Sequence, residues 1–158
     1  MKLKLVCVGK LSEAFLRNGV DEYTQRLHRY LPFSCLELKE EKAGGKKADP
    51  RIIRALEGER ILGRIPPEAF VLILDERGTA LTSEGLAELL ERHMVRGTPE
   101  LTAIIGGAYG LSEKVRERGD MILSLSAMTF THQMARLFLL EQLYRACTIL
   151  RNEPYHNR

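Results

Sequence analysis

The run Ala69-Phe70-Val71-Leu72-Ile73-Leu74 is apolar without a break. A strand with one wet face alternates polar and apolar residues, so an unbroken run describes a strand covered on both faces. Strands are expected at residues 2–8, 33–39, 69–74, 101–105 and 121–125, each followed by a helical stretch. Regular alternation of apolar strands with helices implies an α/β fold with a parallel sheet and helices on both faces. The 158 residues suit one domain, spanning 1–158, with no repeat or linker.

Local signals set the helix limits. Ser12 is expected to cap a helix reaching about Tyr30, which Pro32 forbids from continuing. Asp49 followed by Pro50 opens a second helix that runs to about Gly63. Asp75-Glu76-Arg77-Gly78 is expected to turn the chain, after which Thr82 or Ser83 caps a helix that Gly97 ends. Ser112 caps a short helix ending near Gly119, and the last helix spans about His132 to Leu150. Residues 40–48, charged and containing Gly44-Gly45, read as a mobile loop.

Composition excludes several classes. No stretch approaches the ~18 consecutive apolar residues of a membrane span. The first residues alternate rather than forming a signal peptide, which makes a cytoplasmic protein the expectation. Cys7, Cys35 and Cys147 lie far apart with no CxxC spacing, so neither a disulfide framework nor a metal site is expected; all three read as buried hydrophobes. The net charge of +3 does not by itself diagnose nucleic-acid binding, but leaves room for basic patches at residues 39–47 and at the C-terminus.

Ligands of open parallel sheets bind outside the carboxyl ends of the strands. Three such ends stand out: Leu74-Asp75-Glu76-Arg77-Gly78, Ile105-Gly106-Gly107-Ala108-Tyr109-Gly110 and Leu125-Ser126-Ala127-Met128-Thr129-Phe130. The glycine segment matches neither GxGxxG nor a Walker loop, and is either a tight turn or a place of close ligand approach. The loop after Leu125 has no charge for six positions. It suits an uncharged or cationic ligand such as adenine or a sulfonium, unless it is simply a strand end packed on the last helix. Asp75 is almost the only titratable group expected in this pocket.

The last helix is apolar over most of its circumference, as for a helix buried in a core or against another subunit. Glu141 and Arg145 are spaced for a helical ion pair, the alternative being an arginine that faces a phosphate or substrate. Arg136, if buried, must be paired. His28 and His93 read as surface residues, and His132 as a cap or a pocket-lining group. Tyr155, His156 and Arg158 end the chain with a stacking ring, a titratable imidazole and a guanidinium, although such a tail is disordered by default.

Taken in order, these segments resemble the ribosomal RNA large-subunit methyltransferase H family of SPOUT methyltransferases. The similarity runs from Met1-Lys2-Leu3-Lys4-Leu5-Val6-Cys7-Val8-Gly9-Lys10 through Ser83-Glu84-Gly85-Leu86-Ala87 and the glycine segment. It is most specific in His132-Gln133-Met134-Ala135-Arg136, Glu141-Gln142-Leu143-Tyr144-Arg145-Ala146 and Pro154-Tyr155-His156. The resemblance implies a C-terminal trefoil knot, an exception to ordinary chain topology. It also implies a homodimer and an S-adenosylmethionine-dependent methylation of N3 of a pseudouridine in helix 69 of 23S ribosomal RNA. Leu74, Gly106, Leu125, Ser126, Ala127, Met128, Thr129 and Phe130 would contact the cofactor, largely through backbone groups. Thr131 stands where many relatives carry proline, which implies a less rigid knot loop.

On that basis the tail of one subunit is expected to close over the cofactor pocket of the other. Tyr155 would orient the base, His156 assist proton removal and Arg158 hold a phosphate, with Arg136 or Arg145 as the fallback electrostatic contributor. The chain has no RNA-binding appendage, so an assembled ribosome is the expected substrate. A ribose 2′-O-methyltransferase acting on transfer RNA and a non-catalytic ribosome-binding protein are the alternatives.

Overall fold

Strands and helices alternate throughout the computed structural model, which describes residues 1–42 and 49–157. In chain order they are β1 (Lys2–Val8), α1 (Ala14–Leu27), β2 (Phe33–Leu38), α2 (Pro50–Leu62), β3 (Phe70–Ala80), α3 (Ser83–Val95), β4 (Glu100–Ile105), α4 (Glu113–Arg118), β5 (Met121–Ser124) and α5 (His132–Leu150). The loop expected at residues 40–48 and the basic patch at 39–47 lie mostly outside the described residues.

The strands form one sheet in the order β2-β1-β4-β3-β5, and every neighbouring pair is parallel. Successive residues of a strand face opposite sides. Leu72 therefore joins Leu5, Leu90 and Leu140 under α1, α3 and α5, while Val71 and Ile73 join Val6, Ile104 and Val115 under α2 and α4. Two covered faces are the reason for the unbroken apolar run. The edge strand β2 is different: Ser34, Cys35 and Glu37 are exposed. Cys7 and Cys147 are buried as expected, but Cys35 is not, because no strand lies beyond β2.

Two caps form as expected. The Asp49 carboxylate accepts from Arg51 N at 2.9 Å, and Thr82, not Ser83, accepts from Gly85 N at 3.0 Å. Ser12 is not a cap. Helix α1 starts one residue later, from Glu13, and Ser12 N instead donates to Gln133 Oε1 at 2.8 Å. Ser112 occupies the cap position of α4 without a side-chain cap bond. His93 is also corrected. It is 9% exposed, with its ring 3.9 Å from that of Phe70 and Nδ1 3.0 Å from Thr98 Oγ1, because the imidazole faces apolar contact with β3.

The expected turn at residues 75–78 is an excursion within β3. Leu74 and Thr79 both face Leu123, so the chain leaves the ladder at Asp75 and rejoins β5 through Thr79 and Ala80. The excursion lies across β5, and Ser124 Oγ donates to the Glu76 carbonyl at 3.1 Å.

Candidate active site

The three expected segments converge. A cleft of about 880 Å3 opens at the carboxyl ends of β3, β4 and β5, walled by residues 74–77, 105–111 and the β5–α5 connection. That volume lies within the roughly 300–1,000 Å3 of small-molecule sites. Leu74, Gly106, Leu125, Ser126, Met128, Thr129 and Phe130 line it, as does Leu16 from α1; Ala127 belongs to the same connection but does not line the cleft.

Each wall has a local cause. A β-carbon on Gly106 would lie 2.9 Å from Leu111 Cδ2 and 3.1 Å from Gly110 C, so a side chain there would force Leu111 to move and crowd the Gly110 main chain. Gly110, at φ +79°, donates its N–H to Gly107 O at 3.0 Å and closes a tight turn. Small hydroxyls tie down the β5–α5 connection: the single Ser124 hydroxyl proton is shared between Glu76 O at 3.1 Å and Ser126 O at 2.9 Å, and Met128 N donates to Ser126 Oγ at 3.0 Å. The Thr129 hydroxyl hydrogen-bonds the Glu76 carboxylate. Thr131 caps α5 by accepting from Met134 N at 3.2 Å, a structural use of its own for the residue that departs from proline. His132 lines the cleft rather than capping the helix, and burial pushes its imidazole below the ordinary range.

The cleft holds more titratable groups than Asp75, since Arg54, Glu76, Arg77, Arg116 and His132 also line it. Asp75 is committed to its neighbours: Arg116 Nη2 lies 2.6 Å away and Arg77 N donates at 3.0 Å. Burial opposes its ionisation, but the Arg77 N–H and the Arg116 and Arg77 guanidiniums outweigh burial and hold the carboxyl below its usual range. The walls therefore combine apolar side chains and bare main chain with several charged groups.

Glu57 sits behind the glycine segment, only 4% exposed. Its Oε1 accepts from Glu41 N at 3.0 Å, while Oε2 has no hydrogen-bond partner among the described residues and lies 3.0 Å from where a Gly107 β-carbon would be. Burial pushes this carboxyl above the ordinary range. A carboxyl raised on folding contributes stability that is fully present below its unfolded pKa and lost as pH rises through the folded one. Glu57→Gln is therefore expected to unfold at higher denaturant than the wild type at pH 8, by about 1–2 kcal/mol. The difference should shrink towards pH 4, and chemical denaturation at both pH values checks it.

Tyr155 and His156 stand elsewhere. Neither Tyr155, His156 nor Arg145 lines the cleft. The Tyr155 ring meets Tyr144 edge-on at 4.7 Å, its hydroxyl donates to Glu141 Oε1 at 3.1 Å, and burial pushes its phenol pKa up. Arg145 forms the expected ion pair with Glu141 at 2.5 Å and covers the Tyr155 ring at 4.8 Å. His156 Nε2 lies 3.1 Å from Glu84 Oε1. Arg158 falls outside the described residues. Arg136 is wholly buried, held by Glu37 at 2.6 Å and the Gly9 carbonyl at 2.9 Å; it bridges α5 to β2 and does not line the cleft. Sequence reasoning gave no role to Glu57, Glu76 or Glu84, whose partners lie far away along the chain.

A doubly covered parallel sheet that gathers three loops into one cleft at its carboxyl edge is an α/β cofactor-binding architecture. A family profile described as predicted SPOUT methyltransferase matches residues 1–156. Proteins named ribosomal RNA large subunit methyltransferase H are similar over the whole chain. That of Syntrophotalea carbinolica is 62% identical over 100% of both chains. That of Trichlorobacter lovleyi is 50% identical over 99% of this chain and 100% of its own. That of Halothermothrix orenii is 44% identical over 99% of each. The chain belongs to the SPOUT methyltransferases, within the ribosomal RNA large-subunit methyltransferase H family. Among the described residues no cluster of His, Cys, Asp or Glu could hold a metal ion, and no helix is long and apolar enough to cross a membrane.

Proposed function

We propose that the chain binds S-adenosylmethionine in this cleft and methylates N3 of a pseudouridine in helix 69 of 23S ribosomal RNA, acting as a homodimer on the assembled ribosome. The observation that carries the reading is the convergence of three loops on one cleft, where Asp75 is paired with Arg116. The residues fit the group. Gly106 leaves main chain bare for a flat ring, Leu74, Ile105 and Leu125 supply apolar walls, and Ser126 and Thr129 bring hydroxyls. Large-subunit ribosomal RNA as the acceptor rests on the relatives' names.

When bound, S-adenosylmethionine supplies a methyl group made electrophilic by its sulfonium, so the protein's task is alignment and proton removal. Alignment contributes up to ~7–11 kcal/mol in well-oriented systems. His156 would take the N3 proton, Tyr155 orient the base and Arg158 hold a phosphate. Tyr155 and His156 stand away from their own cleft, and the reading therefore has the tail serve the cleft of a second copy. The cleft's rim is apolar and open, with Phe15 64%, Met128 74% and Phe130 39% exposed, a surface suited to cover by that copy. A trefoil knot is part of the same reading, and in it the excursion of β3 would be the segment that the chain beyond β5 passes.

Mass spectrometry of helix 69 RNA from cells with and without the protein tests the reading. Loss of a base methyl on the pseudouridine is expected in the deletion. A label found on ribose would favour 2′-O transfer, and no saturable heat with S-adenosylmethionine would favour a binding module without catalysis.

A further inference from the structure

The ring of His156 is held at both nitrogens. Nε2 lies 3.1 Å from Glu84 Oε1, and Nδ1 lies 3.4 Å from Arg145 Nη1. An ionised carboxylate only accepts and a guanidinium only donates. The neutral ring that satisfies both carries its proton on Nε2 and turns the Nδ1 lone pair towards Arg145.

The two contacts differ in strength. Arg145 is anchored by Glu141, with Nη2 at 2.5 Å and Nε at 3.1 Å from Oε1, which leaves the 3.4 Å approach to Nδ1 as its longest bond. Hydrogen bonds weaken at such distances, so Nδ1 is the side that an incoming N–H displaces. Glu84, by contrast, stands on the first turn of α3, where a carboxylate is favoured by the helix N-terminus. It is the fixed partner.

We propose that Glu84 is a positioning residue that fixes the Nε2–H tautomer of His156 and so presents Nδ1 as the proton acceptor. The proposal rests on the reading of His156 as the group that takes the N3 proton. As the N3–carbon bond forms, the N3 proton passes to Nδ1 and the electron pair of the broken sulfur–carbon bond stays on sulfur. The ring becomes an imidazolium whose Nε2–H remains on Glu84. A carboxylate behind an imidazole holds its orientation and stabilises the cation that forms. Tyr155 OH and Arg145 share Glu141, so Tyr155 and His156 are docked on α3 and α5 as one hydrogen-bonded block.

The test compares E84A, E84Q and H156A with undermethylated ribosomes and labelled S-adenosylmethionine. Long-range 15N spectra of histidine-labelled protein report the tautomer, with the His156 signals assigned by their loss in H156A. The wild type is expected to show the Nε2–H pattern. E84A should lose it and fall about tenfold to a hundredfold in kcat, less than H156A within the 10²–10⁴ of a general base. KM for ribosomes and the affinity for S-adenosylmethionine should not change. E84Q keeps an oxygen that accepts from Nε2–H and should retain the tautomer with intermediate kcat, which a merely structural role would not predict. An Nδ1–H pattern in the wild type, or wild-type kcat in E84A beside an inactive H156A, overturns the inference. Full turnover by H156A would overturn the reading of His156 itself, and the inference with it.

Discussion

A chain ending at Pro154 is expected to bind S-adenosylmethionine as tightly as the full protein yet transfer methyl groups at least about a hundredfold more slowly. The two effects separate because the two sets of residues do. The cleft is built from the carboxyl ends of β3, β4 and β5, and neither Tyr155 nor His156 lines it. The tail rests instead on Tyr23, Tyr144 and Glu141 of α1 and α5, and on Glu84 of α3. The truncation forfeits the Tyr155 ring contacts and hydroxyl bonds and the His156 contacts, all part-buried and peripheral to the core under the sheet. Each is worth about 0.5–1.5 kcal/mol against the ~5–15 kcal/mol of a domain, and thermal unfolding of the truncated chain checks that it folds. Calorimetry with the cofactor and initial rates on undermethylated ribosomes measure the two quantities. Undiminished turnover would reject the tail as the source of the proton acceptor, and lost cofactor affinity would mean that it also builds the cleft.

The sheet was legible because burial on two faces leaves a direct trace in composition: Val71, Leu72 and Ile73 go to alternate sides and all need to be apolar. The cleft was legible for a related reason, since glycine and small hydroxyls at three strand ends can have a common use only where those ends meet. What escaped depended on partners distant in the chain. Ser12 looks like a cap, but Gln133, 121 residues on, takes its N–H. His93 looks exposed until Phe70 is packed against it, and Cys35 looks buried until β2 turns out to be an edge. Arg136 carries no local mark of being locked between Glu37 and Gly9. The position of the tail was the least accessible, because Tyr155 and His156 dock on three helices and no periodicity encodes such contacts.

Gly78→Ala should show how firmly the β3 excursion is fixed, with a fall in Tm of roughly 6–12 °C and at least about tenfold weaker cofactor binding. A β-carbon at Gly78 would lie 2.6 Å from Ile122 O, 2.7 Å from Ile122 C and 2.8 Å from Leu123 C. All three are main-chain atoms of β5, which β3 holds on both sides of the excursion, so none can rotate aside. Overpacking costs about 1–3 kcal/mol where neighbours can adjust; here the upper end applies, and about 2–4 °C per kcal/mol converts it for a chain of this size. The relief available is for the excursion to lift, which would break the Ser124 hydroxyl bond to the Glu76 carbonyl and carry Asp75, Glu76 and Arg77 off the cleft wall. Gly85→Ala is the control, because a β-carbon there meets only ordinary contacts from 3.4 Å outwards, and both quantities should hold. Thermal unfolding and calorimetry on the two variants decide the matter. If Gly78→Ala matched the control, β5 would be free to retreat and the excursion could not be the rigid wall on which the cleft's shape depends.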